Sequence, residues 1–541
     1  LCLISRKRIA IIKRDADDLV MTFRLFSRVW PLEKLLGKLP RAIFSVLLLL
    51  ASSTGLAGPK VVILTATYGA GHDAAANQVR ERVLAEQPDA EVVIKNCQEF
   101  MPDAARGPSV RGFDYLQGHQ PRVYDAAFNA YMGIGTIVPN AGLLPTGRGL
   151  RHGVMLSWIE AQNPDVILVT WYGAIEALDT LRRRGHLRDI RVGWVHTDNV
   201  SNGGRRMAAF EIIAMAADMV FAPGPAVEQD FVSAGVPRER VILTGMPIRI
   251  APRPPLTLES VRTRQAEARG RLGLPDRTTL MIEGGSNGVG NYPLMLASIL
   301  SAMPTQELNL IAATGRNATQ LQEVQWLING TTDPAQVRVL TQRLRPLIGS
   351  GPGRMTREQV QALIRSGFPR DRVEVRAIGF TPLTDYRLAA NLVSTKPGGL
   401  STAEMAAEGI PMLIRGGPQT ASGQELFNVR RFREAGLAEV NLNDLDTGQQ
   451  MRDLLPNQDF FNRFYAASET FRQNSRPGLI TDWVLREGNA HAARVAASAT
   501  ASGTTVEVNG PTSPQGAWRV YCTLVESLAS LRRTFASVRP H

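Results

Sequence analysis

The stretch 392–414, LVSTKPGGLSTAEMAAEGIPMLI, constrains this chain more than any other. An apolar, β-prone entry at Leu392 and Val393 runs into Lys396-Pro397-Gly398-Gly399. An Ala/Glu/Met-rich segment suited to helix follows, and Gly409-Ile410-Pro411 leads to a second apolar run. The order is strand, glycine turn, helix, strand. Adjacent glycines let backbone approach a ligand closely. Ser401 and Thr402 can cap a helix whose free N–H groups and dipole favour an anion. An ordinary βαβ turn reads the same way, so the rest of the chain has to decide.

The rest of the chain repeats the pattern. Val61-Val62-Ile63-Leu64-Thr65 is a buried strand, followed by Tyr68-Gly69-Ala70-Gly71-His72, a helix over about 73–86 and a second strand at 91–95. Further strands are expected at 166–170, 191–195, 219–222 and 241–244. A second half opens near Leu274: a strand at 279–282 enters Gly284-Gly285-Ser286-Asn287-Gly288, with others at 308–312 and 373–378. The fold class is therefore α/β, with two Rossmann-like domains facing across a cleft where a ligand meets the carboxyl ends of the strands. The expected domains are 59–250 and 274–450, joined by a proline-bearing linker at 251–273. Residues 317–372 read as an insertion, 451–487 as closing helices and the Ala/Ser/Thr/Gly-rich 488–541 as a flexible tail.

At 541 residues the chain exceeds one small core. Its 61 Lys+Arg against 49 Asp+Glu, a formal charge of +12, suit anionic partners such as nucleotides or acidic lipid surfaces. The three cysteines, Cys2, Cys97 and Cys522, are too scattered for a disulfide framework or a thiolate metal site, and no metal is expected. Residues 1–58 read as a signal-like or membrane-anchor segment: basic positions precede the apolar run 42–51, small residues follow it, and Met21 is a plausible start.

Taken in order, Gly69-Ala70-Gly71-His72, Thr244-Gly245-Met246-Pro247-Ile248-Arg249, Gly284-Gly285-Ser286-Asn287-Gly288, Gly379-Phe380-Thr381, Thr395-Lys396-Pro397-Gly398-Gly399 and the stretch 424–428 carry a resemblance. The chain resembles the monogalactosyldiacylglycerol synthase and processive diacylglycerol glucosyltransferase family, of glycosyltransferase family 28 type, over about residues 59–487. It is more distantly similar to the lipid I N-acetylglucosaminyltransferase. The resemblance implies a GT-B fold and inverting transfer of galactose or glucose from a UDP-sugar to the hydroxyl of diacylglycerol or a related lipid. The UDP-sugar is then a substrate and no cofactor is expected. Departures are the 317–372 segment, the signal-like start and the extra residues Gln419-Thr420-Ala421-Ser422.

Inverting transfer needs a base for the acceptor hydroxyl and a means of stabilising the departing diphosphate. His72, at the first strand-to-helix turn, suits the first task. By resemblance it is the expected catalytic residue, and otherwise it only orients its loop. His196 and Asp198 end another strand of the same half, and Asp198 is the second candidate base. For the donor, the Gly398-Gly399 turn, Ser401 and Thr402 offer N–H groups and caps, Gly285 and Ser286 a second glycine turn, and Arg249 or Lys396 positive charge. Glu404 is placed to accept from ribose hydroxyls. By resemblance, backbone at Phe380 holds uracil, while Gln424 and Asn428, four apart and on one face if helical, hold the sugar. Tyr124, Phe128, Tyr131 and Met132 form an amphipathic stripe, either core or a membrane-lying acceptor surface.

The partners expected are thus a UDP-sugar, a lipid acceptor and an anionic membrane surface, with no nucleic acid. Two other readings share the fold: a UDP-sugar 2-epimerase, and a non-catalytic sugar-nucleotide or lipid-binding protein. A nicotinamide dehydrogenase fits poorly, because the turn at 69–72 lacks a third glycine. Location is expected at the cytoplasmic face of a membrane, where nucleotide sugars are, although the signal-like start points outward.

Overall fold

The computed structural model describes residues 58–68, 70–120, 122–124, 126, 149–200, 214–418, 420–421 and 423–501. The 1–57 segment, Gly69, Phe128, Tyr131, Met132, Gln419, Ser422 and the stretch 502–541 lie outside them.

Two six-stranded sheets organise these residues. The first has β1 (Lys60–Thr65), β2 (Glu91–Asn96), β3 (Val166–Val169), β4 (Arg191–Val195), β5 (Met219–Ala222) and β6 (Val241–Leu243) in the order β2-β1-β3-β4-β5-β6. The second has β7 (Thr279–Glu283), β8 (Leu308–Ala313), β9 (Val373–Ile378), β10 (Leu392–Thr395), β11 (Met412–Arg415) and β12 (Glu439–Asn441) in the order β12-β11-β10-β7-β8-β9. Neighbouring strands pair in parallel throughout. Their near-continuous apolar runs follow from burial on both faces. Each half packs its own core on either side of its sheet, and the architecture is the two-domain Rossmann-like GT-B fold.

Strand order reverses once in each sheet. In the first, β1 is flanked by β2 and β3; in the second, β7 is flanked by β8 and β10. At such a switch point the loops leaving adjacent strands part to opposite faces and open a crevice at the carboxyl ends. The three glycine turns that stand out in the sequence leave strands at these two points, one after β1 and the others after β7 and β10.

Three expected boundaries move. Helix Leu258–Leu272 fills most of the expected linker. Its start is fixed by a capping box of Thr257 and Ser260, so the expected linker shortens to the proline-bearing residues before it. The 317–372 segment is the β8-to-β9 crossover. Its helices Ala318–Asn329, Pro334–Leu344 and Arg357–Ser366 bring Leu327, Leu340 and Leu363 into the second core, so it is part of that domain's packing. The tail does not begin at 488, since helix Gly478–Ala501 runs through that point. It returns to the first half, where Ile480, Trp483 and Val484 pack with β1, β3 and β5 residues. Asn489 exchanges bonds with Gln87, and His491 reaches Asp165 at 2.9 Å. The small-residue composition of 488–501 masks a helix anchored by its neighbours rather than by its own apolar stripe.

Candidate active site

The loop after β1 is pinned by Asp73, which accepts from the hydroxyls of Thr65 (3.0 Å) and Thr67 (2.8 Å). Helix Gly71–Glu86 therefore starts at the cleft with His72 in its first turn. His72 Nδ1 lies 2.7 Å from the Thr170 carbonyl, across the β1/β3 switch point, and 3.1 Å from Thr197 Oγ1. A carbonyl only accepts, so Nδ1 carries the proton and Nε2 keeps its lone pair. Burial lowers the His72 pKa, against the opposing pull of Asp198, the Thr170 carbonyl and Asp73. The ring is thus a neutral base.

Burial raises the Asp198 pKa, while His72, Asn428, Lys396 and Thr197 work to keep it charged. Its backbone N–H donates to His196 Nδ1 at 3.3 Å. Burial pushes the His196 pKa down to about 3. His196 packs beside Trp194 (5.0 Å between ring centroids) and Phe231 (5.8 Å), supporting the loop as a neutral ring.

The second switch point is built from charge. Glu283, fully buried at the end of β7, accepts from Thr395 Oγ1 (2.8 Å) and from Arg387 Nε (2.8 Å) and Nη2 (3.1 Å). Arg387 Nη1 donates to Glu404 at 2.9 Å, so one guanidinium orients two carboxylates. Burial raises the Glu404 pKa, with Arg387 opposing. Lys396 pairs with Glu425 at 2.7 Å. Beneath the other glycine loop the buried Arg415 donates to the carbonyls of Glu283 (2.9 Å) and Val289 (2.7 Å), and Gly285 takes φ +67° to complete the turn.

One cavity, of about 170 Å³, joins these two corners. His72, Asp198, Gly285, Ser286, Lys396, Gly398, Gly399, Ser401, Glu404 and Gln424 all line it, as does Glu425. The glycine pair divides its work. A Cβ on Gly398 would meet nothing within 4 Å, whereas one on Gly399 would collide with the Thr197 carbonyl and reach Asp198 Oδ1 at 3.1 Å. Gly399 thus serves the close approach of the two halves, and Gly398 the open space.

Four expected donor contacts lie elsewhere. Thr402 is buried and its hydroxyl donates to the carbonyls of Gly398 (2.8 Å) and Gly399 (3.2 Å). The helix is capped instead by Gly398 without a side-chain bond, so Thr402 and Ser401 are not its caps. Asn428 is fully buried and occupied with Asp198, Asn199 and Pro397. Arg249 is exposed and outside the cavity lining. Phe380 is 62% exposed after β9, outside that lining too, with the Arg316 guanidinium stacked 4.2 Å from its ring. Gln424 precedes helix Glu425–Glu434 rather than lying on it, and its Oε1 accepts from Tyr124 OH at 3.0 Å.

Tyr124 is therefore core at the cleft, buried against Phe113. A second, aromatic cavity opens here, lined by Tyr68, Phe113, Tyr124, Trp171 and Trp194, and it shares His72, Thr197, Asp198 and Gln424 with the first. Sequence reasoning missed Glu283, Arg387, Glu425, Thr170 and Thr197. Glu283 was findable, because it directly precedes a recognised glycine turn. Arg387 carries no local signal, being 104 positions from Glu283.

No family model matches the chain. It is 20% identical over 395 residues to the processive diacylglycerol beta-glucosyltransferase of Staphylococcus carnosus, covering 70% of this chain and 81% of that one. It is 27% identical over 314 residues to the UDP-N-acetylglucosamine--N-acetylmuramyl-(pentapeptide) pyrophosphoryl-undecaprenol N-acetylglucosamine transferase of Desulforudis audaxviator, covering 57% and 68%. The solved structure of Acinetobacter baumannii MurG aligns with a TM-score of 0.45 at 13% identity, covering 79% of this chain and all of that one. The chain is thus similar over most of its length to the processive diacylglycerol beta-glucosyltransferases, and His72, Ser286, Lys396, Gly398, Gly399 and Gln424 of the motif series line one cleft.

Proposed function

We propose that this chain is an inverting hexosyltransferase that moves galactose or glucose from a UDP-sugar to the hydroxyl of diacylglycerol or a related lipid. The observation that carries the reading is the shared wall of the two cavities. A neutral imidazole, its Nδ1 tied to Thr170, stands between a charged, glycine-lined corner and an aromatic one. The first corner suits a sugar nucleotide: the N-terminus of helix Gly399–Glu408 and Lys396 would face the diphosphate, and Glu404, held by Arg387, would accept from the ribose. The second corner suits the apolar neck of a lipid.

The acceptor O–H would give its proton to His72 Nε2 as its oxygen forms the new bond to the anomeric carbon. The bond from that carbon to the diphosphate oxygen breaks, and UDP leaves with the electron pair. Asp198 would stabilise the imidazolium that results, and the helix N-terminus and Lys396 the released charge.

The site of action we propose is the cytoplasmic face of a membrane, on the ground that the donor is cytoplasmic. Among the described residues no helix is long and apolar enough to cross a membrane. Purified protein would be incubated with diacylglycerol vesicles and a panel of UDP-sugars, and products identified by mass. A hexosyl-diacylglycerol with stoichiometric UDP is expected. UDP binding without any lipid product, or epimerised nucleotide sugar, would overturn the reading.

A further inference from the structure

The first turn of helix Glu425–Glu434 reaches outside its own domain. Gln424, just before it, meets Tyr124 and Asn428 crosses to the first half, while Glu425 holds Lys396 of its own half. Asn428 Nδ2 donates to Asp198 Oδ1 (3.1 Å) and to the Pro397 carbonyl (3.0 Å), while its Oδ1 accepts from the Asn199 N–H (2.9 Å). Both amide hydrogens are used and the side chain has no exposed surface. What remains is one lone pair with no opening to a ligand, so Asn428 is not built to hold a sugar. Its two donors point instead at the carboxylate of one corner and at the backbone of the turn that forms the other.

We propose that Asn428 is a positioning residue for the transfer, holding Asp198 and the 397–399 turn in one register so that the acceptor base and the departing diphosphate are set against each other. The inference rests on the transferase reading above. Asp198 is faced by His72, with Asp73 behind it, from helix Gly71–Glu86. Thr197 faces it from the adjoining loop position, Lys396 from the donor turn and Glu425 from the same helical turn as Asn428. Of these, the Asn428 amide is an uncharged donor that also touches the donor turn. Removing it takes away one of the interactions that keep Asp198 charged, so Asp198 takes up its proton at higher pH.

The test compares the full chain with Asn428→Ala and Asn428→Asp. The aspartate variant keeps the size and the acceptor for Asn199 but turns the donor to Asp198 into a second carboxyl, and it stands in if the alanine variant does not fold. Wild-type transfer is measured first, and its absence removes the transferase reading and this inference together. With transfer established, kcat is expected to fall roughly tenfold to a hundredfold, and the acid limb of kcat/KM to move up by about one pH unit. KM for the UDP-sugar should stay within about threefold. A raised KM with an unmoved limb would make Asn428 a sugar contact. A lowered melting temperature with kcat and limb unchanged would make it structural only. Either result overturns the proposal while leaving the transferase reading in place.

Discussion

The two switch points share a plan and differ in what they deliver. After β1 the turn leads into a helix whose second residue is His72; after β10 it leads into a helix that begins at Gly399 and carries Glu404. The first corner is dressed with aromatic groups around one carboxylate, Asp198, and its imidazole is desolvated. The second is dressed with ion pairs: Glu283–Arg387, Arg387–Glu404 and Lys396–Glu425. A base works best when burial keeps it unprotonated, whereas a polyanion needs cations and N–H groups fixed before it arrives. One architecture thus supports different electrostatics, and much of the choice is made by side chains outside the glycine turns, such as Glu283, Arg387 and Glu425.

If the corners divide the work in this way, the largest effect belongs to the base. His72→Ala should lower transfer by about a hundredfold to ten-thousandfold while UDP affinity by calorimetry stays nearly unchanged. Near-normal turnover would move the base to Asp198 and blur the contrast. The mirror experiment is Glu404→Ala, which should weaken UDP binding roughly tenfold to a hundredfold through loss of a charge-assisted hydrogen bond, with the fold intact. Unchanged affinity would take the ribose away from that helix.

The glycine pair sharpens the comparison further. Gly399→Ala should destabilise the chain by about 1–3 kcal/mol, because the new methyl group meets the Thr197 carbonyl of the other half. Gly398→Ala, facing open space, should leave the melting temperature alone and act only on donor binding. Equal melting losses in both would contradict the division between them.

The smallest effects are those of pH. With the His72 pKa lowered by burial, the acid limb of kcat/KM due to this group should lie below the ordinary imidazole value of about 6.5. His196, with a folded pKa of about 3, contributes stability that is complete above its unfolded value of about 6.5 and is lost as pH falls toward 3. Denaturant titrations should therefore show a shallower loss between about pH 6 and pH 4 in His196→Gln than in the wild type. An identical slope would mean that the ring is already charged in the folded state.

Much of this was legible without coordinates. The strands of the first half appear in the sequence as runs such as Val61-Val62-Ile63-Leu64-Thr65, because a parallel strand covered on both faces must be apolar along its whole length. The glycine turns were legible because a tight strand-to-helix connection admits few other residues; His72, Lys396 and Glu404 stood out because they adjoin those turns, and Asp198 because it follows the end of a strand in the same half. The sequence by itself therefore determined two Rossmann-like halves, their order, and the residues nearest the strand ends.

Only the tertiary structure decided what those residues face. Asn428 matched a sugar-binding pattern, yet its amide is consumed by Asp198, Asn199 and Pro397. Arg387 had no motif, yet it orients both Glu283 and Glu404. Gly399 read as clearance for phosphate, yet the carbonyl of Thr197 makes the glycine necessary. The reason is the range of the interactions. Strand and turn preferences act over a few neighbouring residues and leave a local pattern. The direction of a hydrogen bond or the desolvation of a charge depends on groups more than a hundred positions away, which only folding brings within hydrogen-bond distance.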